Sequence, residues 1–135
     1  YKDIFKGLFT FRDPKFYLFF TQNKVGKDAA RDFLKRLKER TENRDKKVKL
    51  SVLKKQLKAI ETWGYDAPAD LGVFKHPVLV ANGDIDRMVP TSNSYDLAKR
   101  FPNAESVIIY PNSGHGGIFQ YHEEFLKKAI PFLTK

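Results

Sequence analysis

The chain has 135 residues, enough for one ordinary domain, and its 41% hydrophobic and 30% charged content allows it to fold and stay soluble. It contains no cysteine, which excludes a disulfide framework, a thiolate metal site and a cysteine nucleophile, and favours a cytoplasmic location. Every apolar stretch is interrupted by charged residues, so we expect neither a signal peptide nor a membrane span.

Aromatic side chains are concentrated in residues 1–22. So many rings must be covered by packing or by a partner. They could line an apolar pocket or pack one part of the chain onto another, and the sequence leaves both interpretations open. The rings belong to Tyr1, Phe5, Phe9, Phe11, Phe16, Tyr17, Phe19 and Phe20.

Residues 27–64 are predicted to form two amphipathic helices, because apolar residues recur there at three- and four-residue spacing. The polar residues 41–47 separate the two helices, and Gly64 and Pro68 are placed to end the second. Such a pair is typical of a cap rather than a catalytic core. The two stripes are Ala30, Phe33, Leu34 and Leu37, then Leu50, Leu53, Leu57 and Ile60.

The positive charge of the chain lies in this helical region. The chain has 25 basic and 16 acidic residues, a net charge of +9, and residues 24–58 hold 14 of the basic and 5 of the acidic ones. A basic surface attracts anions and can hold nucleic acid non-specifically. A solvated basic helical face explains the same charge, and we expect no specific nucleic-acid partner.

Residues 71–135 predict a βαβα unit, because short apolar runs alternate with helical patterns. At this spacing the two strands are parallel. Two strands and two helices cannot cover both faces and both edges of a parallel sheet, so we expect an incomplete sheet. A missing N-terminal half or a second copy of the chain would complete it. The elements are strand 77–82, helix 92–101, strand 105–110 and helix 119–130, which Pro131 ends or kinks.

Polar loops follow both predicted strands, at residues 82–90 and 111–117. Ligand sites of open α/β sheets lie at the carboxyl ends of strands, and adjacent parallel strands place these loops side by side. Asp86 and His115 could therefore touch, and a carboxylate bonded to one imidazole nitrogen leaves the other as a base. The glycines around His115 are expected to allow a tight, unusual backbone path.

The motifs Gly83-x-x-Asp86-x-x-Val89-Pro90 and Ser113-Gly114-His115-Gly116-Gly117, with 29 residues from acid to histidine, resemble the acid and histidine loops of the α/β-hydrolase fold. The resemblance implies that Asp86 is the catalytic acid and His115 the catalytic base. It implies an α/β fold in which residues 1–70 form an aromatic segment and helical lid, and residues 71–135 the C-terminal βαβα part of the core. The stretches 18–22 and 116–122 resemble ester-hydrolase-like members in particular.

The chain departs from this family in one respect: it contains no Gly-x-Ser-x-Gly. The family places that motif before the lid, so the resemblance implies a nucleophile upstream of Tyr1 and an inactive chain when it is isolated. It implies hydrolysis of a small ester-like substrate without a cofactor. The upstream nucleophile could be serine or, as in epoxide and haloalkane hydrolysis, aspartate.

Several alternatives remain. Asp84 could be the acid instead of Asp86, or both loops could be ordinary turns. A metal site from Asp84, Asp86, His115 and His122 lacks a supporting helical spacing. A non-catalytic module could bind nucleic acid through the basic cap, although no recognition motif and no interleaved aromatic residues support it. The chain could also be an inactive remnant.

Overall fold

The computed structural model describes residues 13–44, 46 and 48–134. This part of the chain contains two short strands, six α-helices and one 3₁₀ turn, Leu71–Val73. The strands are β1, Ala81–Gly83, and β2, Ile108–Tyr110; the helices are α1, Lys15–Leu18, α2, Lys24–Arg36, α3, Leu50–Gly64, α4, Thr91–Arg100, α5, Gly117–Gln120, and α6, His122–Leu133.

The two strands pair in parallel, with Ala81 opposite Ile108 and Gly83 opposite Tyr110, and α4 connects them. This confirms the predicted parallel βαβ unit. The regular strands are shorter than predicted. Backbone pairing nevertheless begins earlier, at an isolated parallel bridge between Val78 and Ala104, so the chain runs alongside its partner over nearly the predicted length.

The predicted last helix, 119–130, is divided at Tyr121 into α5 and α6, and Pro131 does not end α6. That Pro131 kinks the helix stays a prediction. The helix α6 continues to Leu133, and the backbone N–H of Thr134 donates to the carbonyl oxygen of Ile130 at 3.2 Å. Proline lacks its own N–H and its ring crowds the carbonyl group four residues earlier, but within the last turn of a helix the following residues can still bond back across it. One lost hydrogen bond near a helix end is tolerated.

The aromatic residues of the described N-terminal part pack against α2. Asn23 caps this helix by accepting from the backbone N–H of Gly26 at 2.8 Å. The inward-facing positions follow the predicted stripe as far as Leu34, which packs against the buried cluster, whereas Leu37 lies beyond the end of α2 and is exposed. Packing therefore accounts for these rings, while Tyr1, Phe5, Phe9 and Phe11 lie outside the described residues. The buried cluster consists of Phe16, Tyr17, Phe20, Ala30 and Phe33.

Residues Arg40–Asp70 form a compact unit of their own, separate from the other described residues. The helix α3 ends at Gly64, as predicted, and its apolar stripe is present. All described residues of this unit are exposed, including Leu53 and Leu57 of the stripe. Among the described residues, no helix combines the length and apolar character needed to cross a bilayer. The predicted boundary at residue 70 between lid and core stays a prediction.

Candidate active site

The loops after β1 and β2 lie side by side because backbone bonding continues beyond the strands. The N–H of Asp84 donates to the carbonyl oxygen of Tyr110 at 3.0 Å, and the N–H of Ile85 donates to that of Ser113 at 2.9 Å. The β1 loop is also tied to α4, since the hydroxyl of Thr91 donates to the carbonyl oxygen of Gly83 at 2.7 Å. The two polar loops are thus fixed against each other at the carboxyl end of the sheet.

Asp86 is the buried acid of the first loop, with 1% of its side chain exposed. Its Oδ1 accepts the backbone N–H groups of Met88 at 2.8 Å and Val89 at 3.0 Å. Its Oδ2 lies 3.0 Å from Nδ1 of His115. The carboxylate is therefore oriented from one side by backbone donors and presents its other oxygen to the imidazole.

His115 lies opposite this oxygen, and 33% of its side chain is exposed. A carboxylate can only accept, so Nδ1 carries the hydrogen and donates to Asp86, which leaves Nε2 as the basic nitrogen. The ring of Phe19 meets the imidazole edge-on, with ring centroids 5.2 Å apart. The arrangement can accept a proton at Nε2 while Asp86 fixes the tautomer.

Phe19 holds the histidine loop through its backbone as well. Its carbonyl oxygen accepts the N–H of Gly116 at 2.7 Å, and the hydroxyl of Thr21 donates to the carbonyl oxygen of Asn112 at 3.2 Å. In the sequence, Phe19 belongs to the aromatic cluster of residues 1–22 and to the stretch 18–22 of the family resemblance, and neither pattern predicts its contact with His115. The sequence shows only that this stretch is aromatic, and the spacing of residues does not predict which side chain Phe19 contacts.

The glycines of the site act differently from the expectation. Among the described residues no glycine has a positive φ; in the histidine loop it is Asn112 that has one, at 51°. A Cβ on Gly83 would collide with the carbonyl oxygens of Ser113 and Gly114, and one on Gly114 would lie 2.9 Å from the carbonyl oxygen of Phe19. These positions need glycine because neighbouring backbones approach closely, not because the backbone is left-handed.

The two candidate acids, Asp84 and Asp86, have different hydrogen-bond partners. Asp84 turns its carboxylate to the backbone of the histidine loop: Oδ2 accepts the N–H of Asn112 at 3.0 Å and Oδ1 that of Ser113 at 3.1 Å. Asp86, by contrast, is hydrogen-bonded to the imidazole of His115. The geometry therefore favours Asp86 as the partner of the histidine, while the catalytic roles of both residues stay predictions.

The remaining candidates lie apart from this pair or are buried. His122 begins α6 and lines a cavity of about 270 Å³ beside α2; its Nδ1 is buried and has no hydrogen-bond partner among the described residues. Ser113 is fully buried, and its hydroxyl donates to the carbonyl oxygen of Tyr110 at 2.8 Å. Within the described part of the chain, no three histidine or acidic side chains lie close enough together to hold a metal ion.

A second cavity of about 270 Å³ borders both loops. Its wall includes Phe20, Ile85 and Gly114, together with the charged side chain of Arg87. The guanidinium of Arg87 donates to the carbonyl oxygen of Tyr17 at 3.1 Å. The cavity is mainly apolar. It is lined by Ile85 and Arg87, which flank Asp86 in the chain, and by Gly114, which precedes His115.

The model of the alpha/beta hydrolase fold family matches residues 4–120. The match covers well over half of the chain, so the chain belongs to the α/β-hydrolase fold family. This confirms the fold expected from the loop motifs. The two-stranded parallel sheet with its helices is a part of that fold.

Two relatives agree with this assignment. The chain is similar to an alpha/beta hydrolase fold protein from Chitinophaga pinensis, whose structure superimposes with a TM-score of 0.83 and 34% identity over 97% of this chain and 50% of that one. It is also 39% identical over 70 residues to RutD of Caulobacter sp. (strain K31), a candidate carbamate hydrolase; these residues are 52% of this chain and 26% of RutD. The chain thus spans about half the length of the solved relative.

Proposed function

We propose that the complete protein is an acyl hydrolase with a Ser-His-Asp triad, in which this chain supplies the acid Asp86 and the base His115. The serine lies on a segment that precedes Tyr1. The observation that carries the proposal is the 3.0 Å contact between Asp86 and His115 at the carboxyl end of two parallel strands. Membership of the α/β-hydrolase family supports it.

Each group has a defined role in the proposed reaction. Nε2 of His115 takes the proton of the serine hydroxyl as its oxygen attacks the acyl carbon, and returns that proton to the leaving group. In the second half, Nε2 removes a proton from the water that attacks the acyl carbon and passes it to the serine oxygen as the acyl–serine bond breaks. Asp86 keeps the hydrogen on Nδ1 and stabilises the imidazolium, because its carboxylate is already oriented by the N–H groups of Met88 and Val89.

We propose a small ester as the substrate. The mainly apolar cavity beside Ile85 and Gly114 supports an apolar acyl group, and residues 1–70 would act as the lid that excludes water. The reaction needs no cofactor. The sheet would be completed by the N-terminal half of the protein or by a second copy of the chain.

A carbamate is the second candidate substrate. It is supported by the 39% identity to RutD over 70 residues. A carbamate, like an ester, offers a carbonyl carbon to the nucleophile and a leaving group that needs a proton, so the same triad serves both. Comparing kcat/KM for an ester and a carbamate with the same alkyl groups distinguishes the two.

The test compares the 135-residue chain with the chain extended by its upstream reading frame. We expect p-nitrophenyl acetate to be hydrolysed by the extended protein and not above background by the chain alone, since nucleophile and oxyanion hole provide most of the catalysis. A serine-reactive phosphonate should abolish the activity. Phosphonate-sensitive turnover by the chain alone would place the nucleophile within it, and Ser92, exposed in α4, would then be the first residue to replace. Activity of the extended protein that resists the phosphonate would contradict the serine and point to an aspartate nucleophile.

A further inference from the structure

We propose that Asp84 is a positioning residue for the proposed reaction. Its carboxylate holds the histidine loop, residues 111–117, in the position in which His115 can hydrogen-bond to Asp86. The inference rests on the proposed roles of that pair. It assigns to Asp84 a function different from that of the alternative catalytic acid.

The first observation is that one carboxylate holds two consecutive amides of the other loop. Oδ2 accepts from Asn112 at 3.0 Å and Oδ1 from Ser113 at 3.1 Å. The positive φ of Asn112, 51°, is a conformation that non-glycine residues adopt uncommonly. Hydrogen bonds to an ionised acceptor are about twice as strong as neutral ones, so this pair stabilises the uncommon turn.

The second observation is the position of these two Asp84 hydrogen bonds relative to the contact between Asp86 and His115. Asp84 lies two residues before Asp86, and Ser113 lies two residues before His115. Between the two contacts, the N–H of Ile85 donates to the carbonyl oxygen of Ser113 at 2.9 Å. The Asp84–Ser113 hydrogen bond is therefore two residues from the Asp86–His115 contact on both loops, and Asn112 lies one residue further away. Over so short a stretch, a displacement of Ser113 is expected to displace His115.

The loops have other links, but these involve groups that a substitution at position 84 leaves in place. The backbone N–H of residue 84 still donates to the carbonyl oxygen of Tyr110, and the backbone N–H of Ile85 still donates to that of Ser113. Replacing the Asp84 side chain should therefore loosen the histidine loop without unfolding the protein.

The test uses Asp84→Asn and Asp84→Ala in the complete enzyme, with active sites counted by phosphonate titration. Asparagine has the size of aspartate, but its amide nitrogen would face a backbone N–H, so one of the two bonds is lost. We expect kcat per active site to fall about tenfold for Asn, the effect of one such bond, and further for Ala, with KM within about twofold. The matched control is Asp96→Asn, which removes an exposed carboxylate paired with Arg100 on α4 and should leave both constants unchanged.

A second readout separates positioning from a purely structural role. In ¹⁵N spectra recorded where the imidazole is neutral, wild-type His115 should carry its hydrogen on Nδ1, and the Asp84 variants should show a mixture of the two tautomers. A lowered melting temperature with unchanged kcat per active site and an unchanged tautomer would overturn the inference. If His115→Ala keeps full activity, the proposed function fails instead, and the tautomer alone then decides whether Asp84 positions the ring.

Discussion

The two loops that carry Asp86 and His115 and the Arg40–Asp70 unit show opposite ways in which a sequence pattern becomes structure. The loops are held to each other, to the stretch around Phe19 and to α4 by hydrogen bonds with defined partners. In the Arg40–Asp70 unit all described residues are exposed, although α3 carries an apolar stripe at helical spacing.

The difference lies in what each pattern needs in order to act. A polar loop after a strand finds its donors and acceptors in the neighbouring loop, because parallel pairing brings the two loops together. An apolar stripe gains free energy only when another surface covers it, and an isolated helix of this length is marginal in water. The loops are therefore determined within the described chain, whereas the stripe of α3 contributes free energy only where another surface covers it.

The largest expected effect is on catalysis by the loop pair. In the complete enzyme we expect His115→Ala to lower kcat by roughly 10³-fold or more, and Asp86→Asn by a similar factor, because the amide would stabilise the wrong tautomer of the histidine. Lys55→Gln, on the exposed polar face of α3, serves as the control from the other region and should leave kcat within about twofold. Steady-state kinetics on an activated ester measures all three. A loss of less than about tenfold for His115→Ala would contradict the assignment of the base.

A core residue and a stripe residue should differ next in stability. Phe33 is 6% exposed in the aromatic cluster, and truncating such a ring to alanine costs about 3–5 kcal/mol. Leu57 of α3 is 49% exposed, so Leu57→Ala should cost less than about 1 kcal/mol. Denaturant unfolding of both variants measures the difference. Equal losses would show that the stripe of α3 is covered in solution and would remove the contrast between the two regions.

Two glycines allow the same comparison at the level of the backbone. Gly83→Ala should destabilise the protein by roughly 1–3 kcal/mol, because the new Cβ would push against the backbone of Ser113 and Gly114. Gly64→Ala is the control: nothing lies within 4 Å of a Cβ there, and alanine is the better helix former, so stability should be unchanged or raised by about 0.5 kcal/mol. The free energy of unfolding is the measurement. A tolerated Gly83→Ala would mean that the loops can separate without cost.

The parts of this structure that could be predicted are those that depend on the strand ends. Asp86 and His115 follow the two strands at similar distances along the chain, so their proximity could be predicted from the sequence. The contact of Phe19 with His115 was not, because it joins segments far apart in the chain and no periodic pattern encodes it. The hydrogen bonds of Asp84 could not be predicted for another reason. The sequence of a turn does not show whether the carboxylate of its aspartate binds solvent or the neighbouring loop.

The strand lengths and Pro131 show a second limit of prediction from sequence, which concerns where strands and helices end. A sequence run marks residues able to extend, but a regular ladder forms only where a partner strand lies opposite, and β1 and β2 have one partner each among the described residues. Proline predicts the end of a helix on average, but Pro131 lies in the last turn of α6 and the helix continues to Leu133. Both outcomes were set by context beyond the local sequence.

The smallest expected effects come from two stacked tyrosines beside the site. The rings of Tyr110 and Tyr121 lie 5.0 Å apart and nearly parallel, which makes the pair a matched test of one hydroxyl against another. The hydroxyl of Tyr110 is buried and has no hydrogen-bond partner among the described residues, whereas that of Tyr121 donates to the carbonyl oxygen of Pro111 at 2.9 Å. Tyr121→Phe should therefore cost about 0.5–1.5 kcal/mol, and Tyr110→Phe should leave the free energy of unfolding unchanged or slightly raised.

The pH dependence of this difference tests the burial of Tyr110 directly. Burial, and secondly the charge of Glu124, raises the pKa of Tyr110 above its usual value of 10.0. The folded state then disfavours the phenolate, so the stability associated with the protonated phenol is complete below about pH 10 and is lost as the pH rises through the folded-state pKa. Unfolding of the wild type and Tyr110→Phe should therefore differ by a constant amount below that pH and diverge above it, with the wild type losing more. A constant difference at every pH would show that the Tyr110 hydroxyl is not buried in solution.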